Sequence, residues 1–224
     1  MSTAKRVRFS EVDGDSSVAR LEVAEKHEGE LKRKWQQWTG PNSLPGEGSA
    51  DAPAYGELNY SSVKKVLDYL EANCGLGGDC SFLDIGHGRG VVPLSVAHRF
   101  PNITAYGVEI DQYRYDISVQ YAKDTPNCVL IHADFSSYDH FIAATIIYAF
   151  DRGFERTPGK GPMHAMARTW NQSDTSARWL VSFRTPSEWD AMGLQHYSLI
   201  AKIPRLRSRG GRSSFTAYVY KRVF

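Results

Sequence analysis

Hydrophobic positions follow two different periods along most of this 224-residue chain. Short apolar runs of strand length alternate with longer segments in which apolar residues recur at every third or fourth position. Strands are predicted at 81–85, 103–109, 127–132 and 144–150, and helices at 89–99, at about 112–122 and, with a weaker pattern, around 136–143. Strands that alternate with helices are typical of a parallel sheet with helices on both faces.

The pattern changes on either side of this alternating region. Ahead of it, Val63, Val66, Leu67 and Leu70 have helical spacing, and Ser61 or Ser62 is the predicted N-cap. Behind it, a helix is predicted near 161–170, followed by β-rich segments at 178–183, 195–203 and 214–222. The last two are joined by a turn too short for a helix, so they are predicted to pair as an antiparallel hairpin. The predicted fold is α/β, with a seven-stranded, mostly parallel, Rossmann-like sheet that ends in this hairpin.

The first part of the chain has a different character. Residues 1–53 are predicted to be a polar segment that contains a short helix at 26–38, with Trp35 and Trp38, and a linker rich in proline and glycine at 39–53. The folded domain is predicted to cover 54–224.

The amino-acid composition is that of an ordinary globular protein, apart from one basic stretch. Hydrophobic residues make up 42% of the chain and the formal net charge is +2, so the overall balance does not indicate a polyanion partner. Three cysteines without metal-type spacing predict no metal site and favour a reducing compartment. No signal-peptide pattern and no apolar run of about 20 residues is present, so we expect a soluble intracellular protein. Charge is unevenly distributed in one stretch, which has five basic residues and no acid: Lys202, Arg205, Arg207, Arg209 and Arg212.

Residues 82–90, FLDIGHGRG, carry the clearest chemical motif. An apolar run contains Asp84 and is followed by Gly86, Gly88 and Gly90, and the next predicted strand ends in Glu109. The glycines let the backbone approach a ligand, and a carboxylate at the next strand tip can accept hydrogen bonds from a ribose diol. The acid before the glycines suits a cationic or amino-bearing ligand, and no pyrophosphate has to be held. The stretch resembles the first motif of class I S-adenosylmethionine (SAM) methyltransferases, which implies SAM as the cofactor.

Two further acids follow predicted strands. Asp134 and Phe135 come after an apolar run, where the carboxylate can accept from the adenine amine while the ring packs on the base. Asp151 follows the fourth strand of the alternating region. Acids at strand ends can also simply cap the next helix, but four at successive tips beside a glycine turn favour a cofactor site. His87 is more simply interpreted as a filler within the turn than as a base.

Residues from about 55 to 222 resemble a narrower group, the DOT1 family of histone H3 lysine methyltransferases, which have a class I rather than a SET fold. The family's Y-G-E loop, glycine motif, Y-G-V-E ribose strand and G-D-F adenine site correspond in order to Tyr55-Gly56-Glu57, Phe82–Gly90, Tyr106–Glu109 and Ala133–Phe135. Ile146–Phe154 and Val181–Phe183 lie where the family has strands that contain N-N-F and V-S-S.

This resemblance implies a nuclear chromatin regulator that methylates a histone H3 lysine, with Glu57 near the cofactor and with Tyr55, Asp151 and Phe215 at the acceptor site. Two departures stand out: Asp151 replaces the asparagine that helps to hold the target amine, and Phe215 is the nearest aromatic to the family's aromatic wall. A lysine amine has a pKa near 10.4, so it must lose a proton before it attacks. Asp151 could accept a hydrogen bond from the amine or take that proton, or it could only cap its loop.

Alternatives remain open at this stage. The same fold could methylate RNA or a small molecule, or bind SAM as a scaffold without turnover. The basic turn Arg205–Arg212 is predicted to contact nucleic acid, such as nucleosomal DNA, or an acidic protein surface, and the alternative is a solvated loop. Val7–Phe9, within Arg6–Phe9, resembles the R-V-x-F docking motif for protein phosphatase 1.

Overall fold

The computed structural model of the chain describes residues 28–38, 56–137, 144–155, 157, 159–172, 175–209 and 212–223. Its helices are α1 (28–38), α2 (Tyr60–Cys74), α3 (Val91–Arg99), α4 (Gln112–Ala122), α5 (Gly161–Trp170) and α6 (Pro186–Ala191). Its strands are β1 (Phe82–Ile85), β2 (Ala105–Glu109), β3 (Cys128–His132), β4 (Ile146–Tyr148), β5 (Trp179–Ser182), β6 (Tyr197–Arg207) and β7 (Ser214–Arg222). Two short 3₁₀ helices cover Phe135–Ser137 and Asp151–Gly153.

The seven strands form one sheet in the order β3-β2-β1-β4-β5-β7-β6. Strands β1 to β5 pair in parallel, and β7 is antiparallel to both of its neighbours, β5 and β6. The predicted α/β sheet with its C-terminal antiparallel hairpin is therefore confirmed. Because β7 is antiparallel to β5 and β6 is antiparallel to β7, β6 runs in the same direction as β1. The end of β6 thus lies at the sheet edge that carries the carboxyl ends of β1 and β4.

The sheet separates two hydrophobic core layers. Phe82 in β1 packs into the layer formed with α1, α2 and α3, whereas its neighbours Leu83 and Ile85 pack into the layer formed with α5 and α6. Side chains alternate across a strand, so Asp84 projects to the same face as Phe82. All four β1 residues are buried, as expected for the centre of a sheet covered on both faces.

Several local boundaries differ from the predictions. The N-cap of α2 is Asn59 rather than Ser61 or Ser62, because the Asn59 side chain accepts from the Ser62 backbone N–H at 2.9 Å. Helix α3 begins after Gly90, whose φ of 78° lies outside the helical region. Helix α6 was not predicted, although Thr185 and Glu188 form a capping box at its start.

Other predictions concern residues that lie wholly or partly outside the described ranges. Of the predicted helix at 136–143, the structure has a 3₁₀ turn as far as Ser137, and 138–143 lie outside the described residues. The linker 39–53, the boundary at 53/54, Tyr55 and the Val7–Phe9 motif also lie outside them. No helix in the described part of the chain has the length and apolar character needed to cross a bilayer.

Candidate cofactor and acceptor site

The turn after β1 takes a backbone shape that depends on glycine. Gly86, Gly88 and Gly90 have φ angles of 73°, 58° and 78°, so every second residue adopts the left-handed conformation. The turn is tied to β2, since the N–H groups of Gly86 and His87 donate to the Val108 carbonyl at 2.8 and 3.1 Å. A Cβ at Gly86 would stand 2.9 Å from the Phe154 ring. The turn is therefore a bare backbone surface with an aromatic ring beside it.

Glu109 connects the tip of β2 to this turn. One carboxylate oxygen accepts from Gly88 N–H at 2.7 Å and the other from Asp111 N–H at 3.0 Å, while Arg114 Nη1 lies 3.9 Å away. Burial raises the pKa of Glu109, and the two N–H groups and Arg114 partly oppose that rise. A carboxylate has about four lone-pair positions. Glu109 therefore keeps acceptor capacity for a diol while it holds the turn in place.

Asp84 is a buried carboxylate that lacks a donor. It is 3% exposed and accepts no hydrogen bond from any residue that the structure describes. Burial, followed by the charge of Glu109, raises the pKa of Asp84 well above its ordinary value. The Tyr148 residue paired with it on β4 also has a buried hydroxyl with no partner in the described part of the chain. Because unpaired buried polar groups are costly, these two groups fit a polar ligand, and Asp84 fits a cationic amine.

Asp134 and Phe135 have different surroundings from Glu109 and Asp84. The Asp134 carboxylate accepts from the Ser136 backbone N–H at 2.8 Å and from the Ser136 hydroxyl, so it caps the 3₁₀ turn after β3. Phe135 is 6% exposed and packs in the core layer that contains Leu83 and Ile85. These contacts leave little ring surface for a base, and the adenine role of the pair stays a prediction.

Ile110, directly after Glu109, is a candidate site residue that the sequence analysis did not identify. Ile110 is 37% exposed although it directly follows the buried tip of β2, and its carbonyl contacts the His132 ring Nε2 at 2.9 Å. Ligand pockets combine apolar walls with a few polar anchors. Ile110 is therefore a candidate wall for a nucleoside base, and the available signal was an apolar residue immediately after the strand-end acid.

Three aromatic rings meet around Phe215, a residue predicted for the acceptor site. The Phe150 ring contacts Phe183 and Phe215 edge to face, with centroids 4.6 and 5.3 Å apart. A Cβ at Gly56 would stand 2.8 Å from Phe150, so the Gly56–Glu57 loop packs against the same ring. The structure thus brings together two predicted site residues, Glu57 and Phe215, and adds Phe150 and Phe183. Phe150 and Phe183 could have been identified in the sequence as aromatic residues just beyond the fourth and fifth strands.

The Gly56–Glu57 loop is fastened to the end of β6. The Glu57 carbonyl accepts from Arg209 N–H at 2.8 Å, and its carboxylate lies 4.0 Å from Arg209 Nη1. Asn59 N–H also donates to the Arg207 carbonyl at 2.9 Å. These contacts hold Arg207 and Arg209, at and just beyond the end of β6, against the loop that packs on Phe150.

Asp151 lies behind these rings rather than among them. It is 0% exposed, and its two carboxylate oxygens accept from the Ser182 hydroxyl and from Phe183 N–H, the latter at 2.9 Å. Ser182 Oγ already accepts from Trp189 Nε1 and Arg184 N–H at 2.9 and 3.0 Å, so its own proton is directed to Asp151. An asparagine would present an N–H group to one of these two donors. The position therefore favours the aspartate that stands here instead of the family's asparagine.

Burial raises the pKa of Asp151 to about 6, and the bonds from Ser182 and Phe183 oppose the rise. With both oxygens occupied, the carboxylate joins the end of β4 to the end of β5. These contacts favour a structural role, and the catalytic role remains a prediction.

Replacing Asp151 with alanine should destabilise the fold. The Ser182 hydroxyl and the Phe183 N–H would both be left buried without a partner, at roughly 1–3 kcal/mol each, which urea unfolding would measure. The folded state retains the carboxyl proton up to about pH 6, whereas the unfolded state releases it near 3.8. Wild-type stability relative to Asp151→Ala should therefore fall as the pH rises through that window. An equal urea midpoint for the two proteins would contradict the structural role.

The sequence matches no protein-family model and no curated protein. Solved structures with a similar fold include a candidate RNA methyltransferase from Pyrococcus horikoshii, with 10% identity, a TM-score of 0.57 and coverage of 87% of this chain and 98% of that one. Magnesium protoporphyrin IX methyltransferase from Synechocystis PCC 6803, solved with bound SAM, has 13% identity, a TM-score of 0.58 and coverage of 85% and 90%. The CcbJ methyltransferase from Streptomyces caelestis has 14% identity, a TM-score of 0.54 and coverage of 73% and 90%. None of these likenesses points to the DOT1 family in particular. The chain has the fold of the class I methyltransferases.

Proposed function

We propose that this protein is a SAM-dependent methyltransferase. The observation that carries the proposal is the unpaired, buried Asp84 carboxylate beside three left-handed glycines, with Glu109 at the next strand tip. An amine satisfies Asp84, and a ribose diol satisfies the remaining acceptor positions of Glu109. One neighbour of the same fold holds SAM in its solved structure.

The chain's own groups would act mainly by positioning. SAM supplies an electrophilic methyl group on a sulfonium. Asp84 and Glu109 would bind the two ends of the cofactor, and the Phe150 and Phe215 rings would hold the acceptor beside it, so that proximity supplies much of the rate. Packing by Phe154 against Gly86 would help to keep water from the glycine turn.

We propose RNA as the acceptor class. A neutral base nitrogen needs no proton removed before it attacks, whereas a lysine ammonium does. Of the described carboxylates near the aromatic rings, Asp151 already accepts from two donors, and Glu57 lies 4.0 Å from the Arg209 guanidinium. The half-buried Phe150 and Phe215 can stack on a base, and the basic end of β6 lies at the same sheet edge.

A second candidate is lysine methylation of the DOT1 type. It is supported by the contact of the Gly56–Glu57 loop with Phe150, since this loop corresponds to the family's channel-lining Y-G-E. On this alternative the substrate is a histone H3 lysine in a nucleosome, the protein is nuclear, and the aromatic rings desolvate the amine and lower its pKa.

Methyl-labelled SAM distinguishes these proposals. The full-length protein would be incubated separately with total RNA, core histones and nucleosomes, with Glu109→Ala as the control that should not bind SAM. We expect label in RNA. Label in a histone H3 lysine with none in RNA would overturn the RNA proposal in favour of the second candidate. Calorimetric SAM binding without transfer to any acceptor would indicate a scaffold, and an absence of SAM binding would overturn the cofactor assignment.

A further inference from the structure

We infer that the outer face of the β6–β7 hairpin is a docking surface for single-stranded RNA, which it leads around the end of β6 toward the aromatic rings at Phe150 and Phe215. This inference deepens the proposed function and rests on it, because it names the form in which RNA reaches the site. It depends on the basic strip, defined as Lys202, Arg205, Arg207 and Arg212, and on Tyr218.

The basic strip is a concentration of unpaired positive charge. All four side chains are exposed, and none has an acidic partner within the part of the chain that the structure describes. The chain as a whole is nearly balanced, with 27 Lys and Arg against 25 Asp and Glu. Elsewhere in the described part of the chain, the partly buried cations Lys64 and Arg99 are paired with acids. The strip is therefore a local feature that overall composition conceals, and its charge complements a polyanion.

The pleat of β6 places Lys202 and Arg207 on one face. Ile203 and Leu206 are buried in the core layer on the α2 side, so their neighbours Lys202 and Arg207 point to the opposite face. Lys202 Nζ lies 5.8 Å from the centroid of the half-buried Tyr218 ring, which confirms that the two share that face. Cations and an aromatic ring thus occur together on the outer side of the hairpin.

A bulge in β6 produces this arrangement. Two residues three positions apart in a regular strand face opposite ways, yet Ile203 and Leu206 are both buried. The register shift between them supplies the extra residue, and Arg205 there adopts a φ of 61°, which is uncommon for a residue other than glycine. Lys65 of α2 holds the bulge by donating to the Pro204 carbonyl at 2.8 Å. The bulge keeps the core contacts and exposes Arg205 between the other two cations.

The strip leads to the proposed acceptor site. Strand β6 runs in the same direction as β1, so Arg207 is nearer than Lys202 to the ligand-binding edge of the sheet. Leu206 pairs with Phe215, whose ring contacts Phe150. Both rings pack on the α2 side of the sheet, opposite Lys202 and Arg207, so a strand whose phosphates follow the strip would pass around the end of β6 to bring a base to them.

A single strand fits this face better than a duplex. Tyr218 on this face is a half-buried ring that can stack only on a base that is not already paired and stacked. Cations beside such rings provide the sequence-independent phosphate contacts that single-strand binders use.

Charge reversal tests the surface without SAM. A fluorescent, mixed-sequence single-stranded RNA would be titrated with the full-length protein at several KCl concentrations. Lys202→Glu combined with Arg207→Glu should weaken binding by about tenfold or more and make the log–log salt dependence shallower by about 1.4, roughly 0.7 for each lost contact. The control Lys123→Glu with Arg168→Glu makes the same charge change at exposed sites outside the hairpin, after α4 and on α5, and should bind as wild type does. Tyr218→Leu keeps an apolar side chain and should weaken single-strand binding by about fivefold or more.

The outcomes separate this surface from the enzymatic proposal. Equal RNA affinity for the strip variant and the control variant would overturn the surface. It would also be overturned if the strip variant lost binding to duplex DNA or nucleosomes but retained the single-stranded RNA. If the strip variant loses RNA binding and the wild type transfers no methyl group to RNA, the surface stands and RNA methylation fails. An unchanged urea midpoint verifies that both double variants are folded.

Discussion

Asp84→Asn should nearly abolish SAM binding and at the same time make the protein more stable. The carboxylate is buried, lacks a donor among the described residues and has a pKa raised by burial and by Glu109. The ionised Asp84 carboxylate therefore lowers the stability of the free protein and is stabilised only when a cation binds beside it. An asparagine has almost the same shape without the charge. Loss of the charge partner of a buried amine costs about 3 kcal/mol or more, so we expect at least a hundredfold loss of SAM affinity.

Calorimetry and thermal unfolding measure the two effects together. The folded pKa of Asp84 lies above its unfolded value, so wild-type stability is fully present at low pH and is lost as the pH rises through the raised pKa. The stability advantage of Asp84→Asn should therefore grow with pH. SAM affinity of the wild type should also rise with pH, because an amine favours the ionised carboxylate. Asp116→Asn makes the same change at an exposed position and should alter neither quantity. An unchanged SAM affinity in Asp84→Asn would refute the placement of the amine.

Arg184→Met should cause a large loss of stability. Arg184 is 0% exposed, and its guanidinium donates to the carbonyls of Asp151 and Arg152 at 2.8 and 2.9 Å and to Glu188 at 3.1 Å. Methionine fills similar space but leaves these acceptors without a donor. Breaking such a buried charge network costs about 3–5 kcal/mol. For a chain of this size that corresponds to a fall in Tm of roughly 10 °C.

The same substitution should affect methyl transfer more than SAM binding, because Arg184 holds the 150–154 segment while Asp84 and Glu109 lie on other strands. Arg184→Lys should recover little, since one ammonium cannot reproduce the planar fork that reaches three acceptors. Arg178→Met changes an exposed arginine just before β5 and serves as the control. If Arg184→Met kept the Tm of the control, the network would have no structural importance.

The elements that followed from local patterns were predictable. Helix α4 covers Gln112–Ala122, where a helix at about 112–122 was predicted, and the Asp84–Gly90 turn is recognisable because glycine readily adopts its left-handed φ angles. The β6 bulge was not predicted, since Ile203 and Leu206 can both be buried only when β7 is present as a partner. The partners of Asp151 were also hidden, because Ser182 and Phe183 lie about thirty positions away along the chain.

The alternation of strands and helices, the final hairpin and the glycine turn with its acids are predictable from the sequence, because period, turn chemistry and spacing are local properties. The tertiary structure decided which of those acids is available. It engaged Glu109 with the turn, buried Asp151 between two strand ends, and left Asp84 without a donor among the described residues. It also placed the basic strip at the edge where Phe150 and Phe215 meet. The physical reason is that burial and hydrogen bonding set the chemistry of a carboxylate, and both depend on groups that are brought together only by the folded sheet.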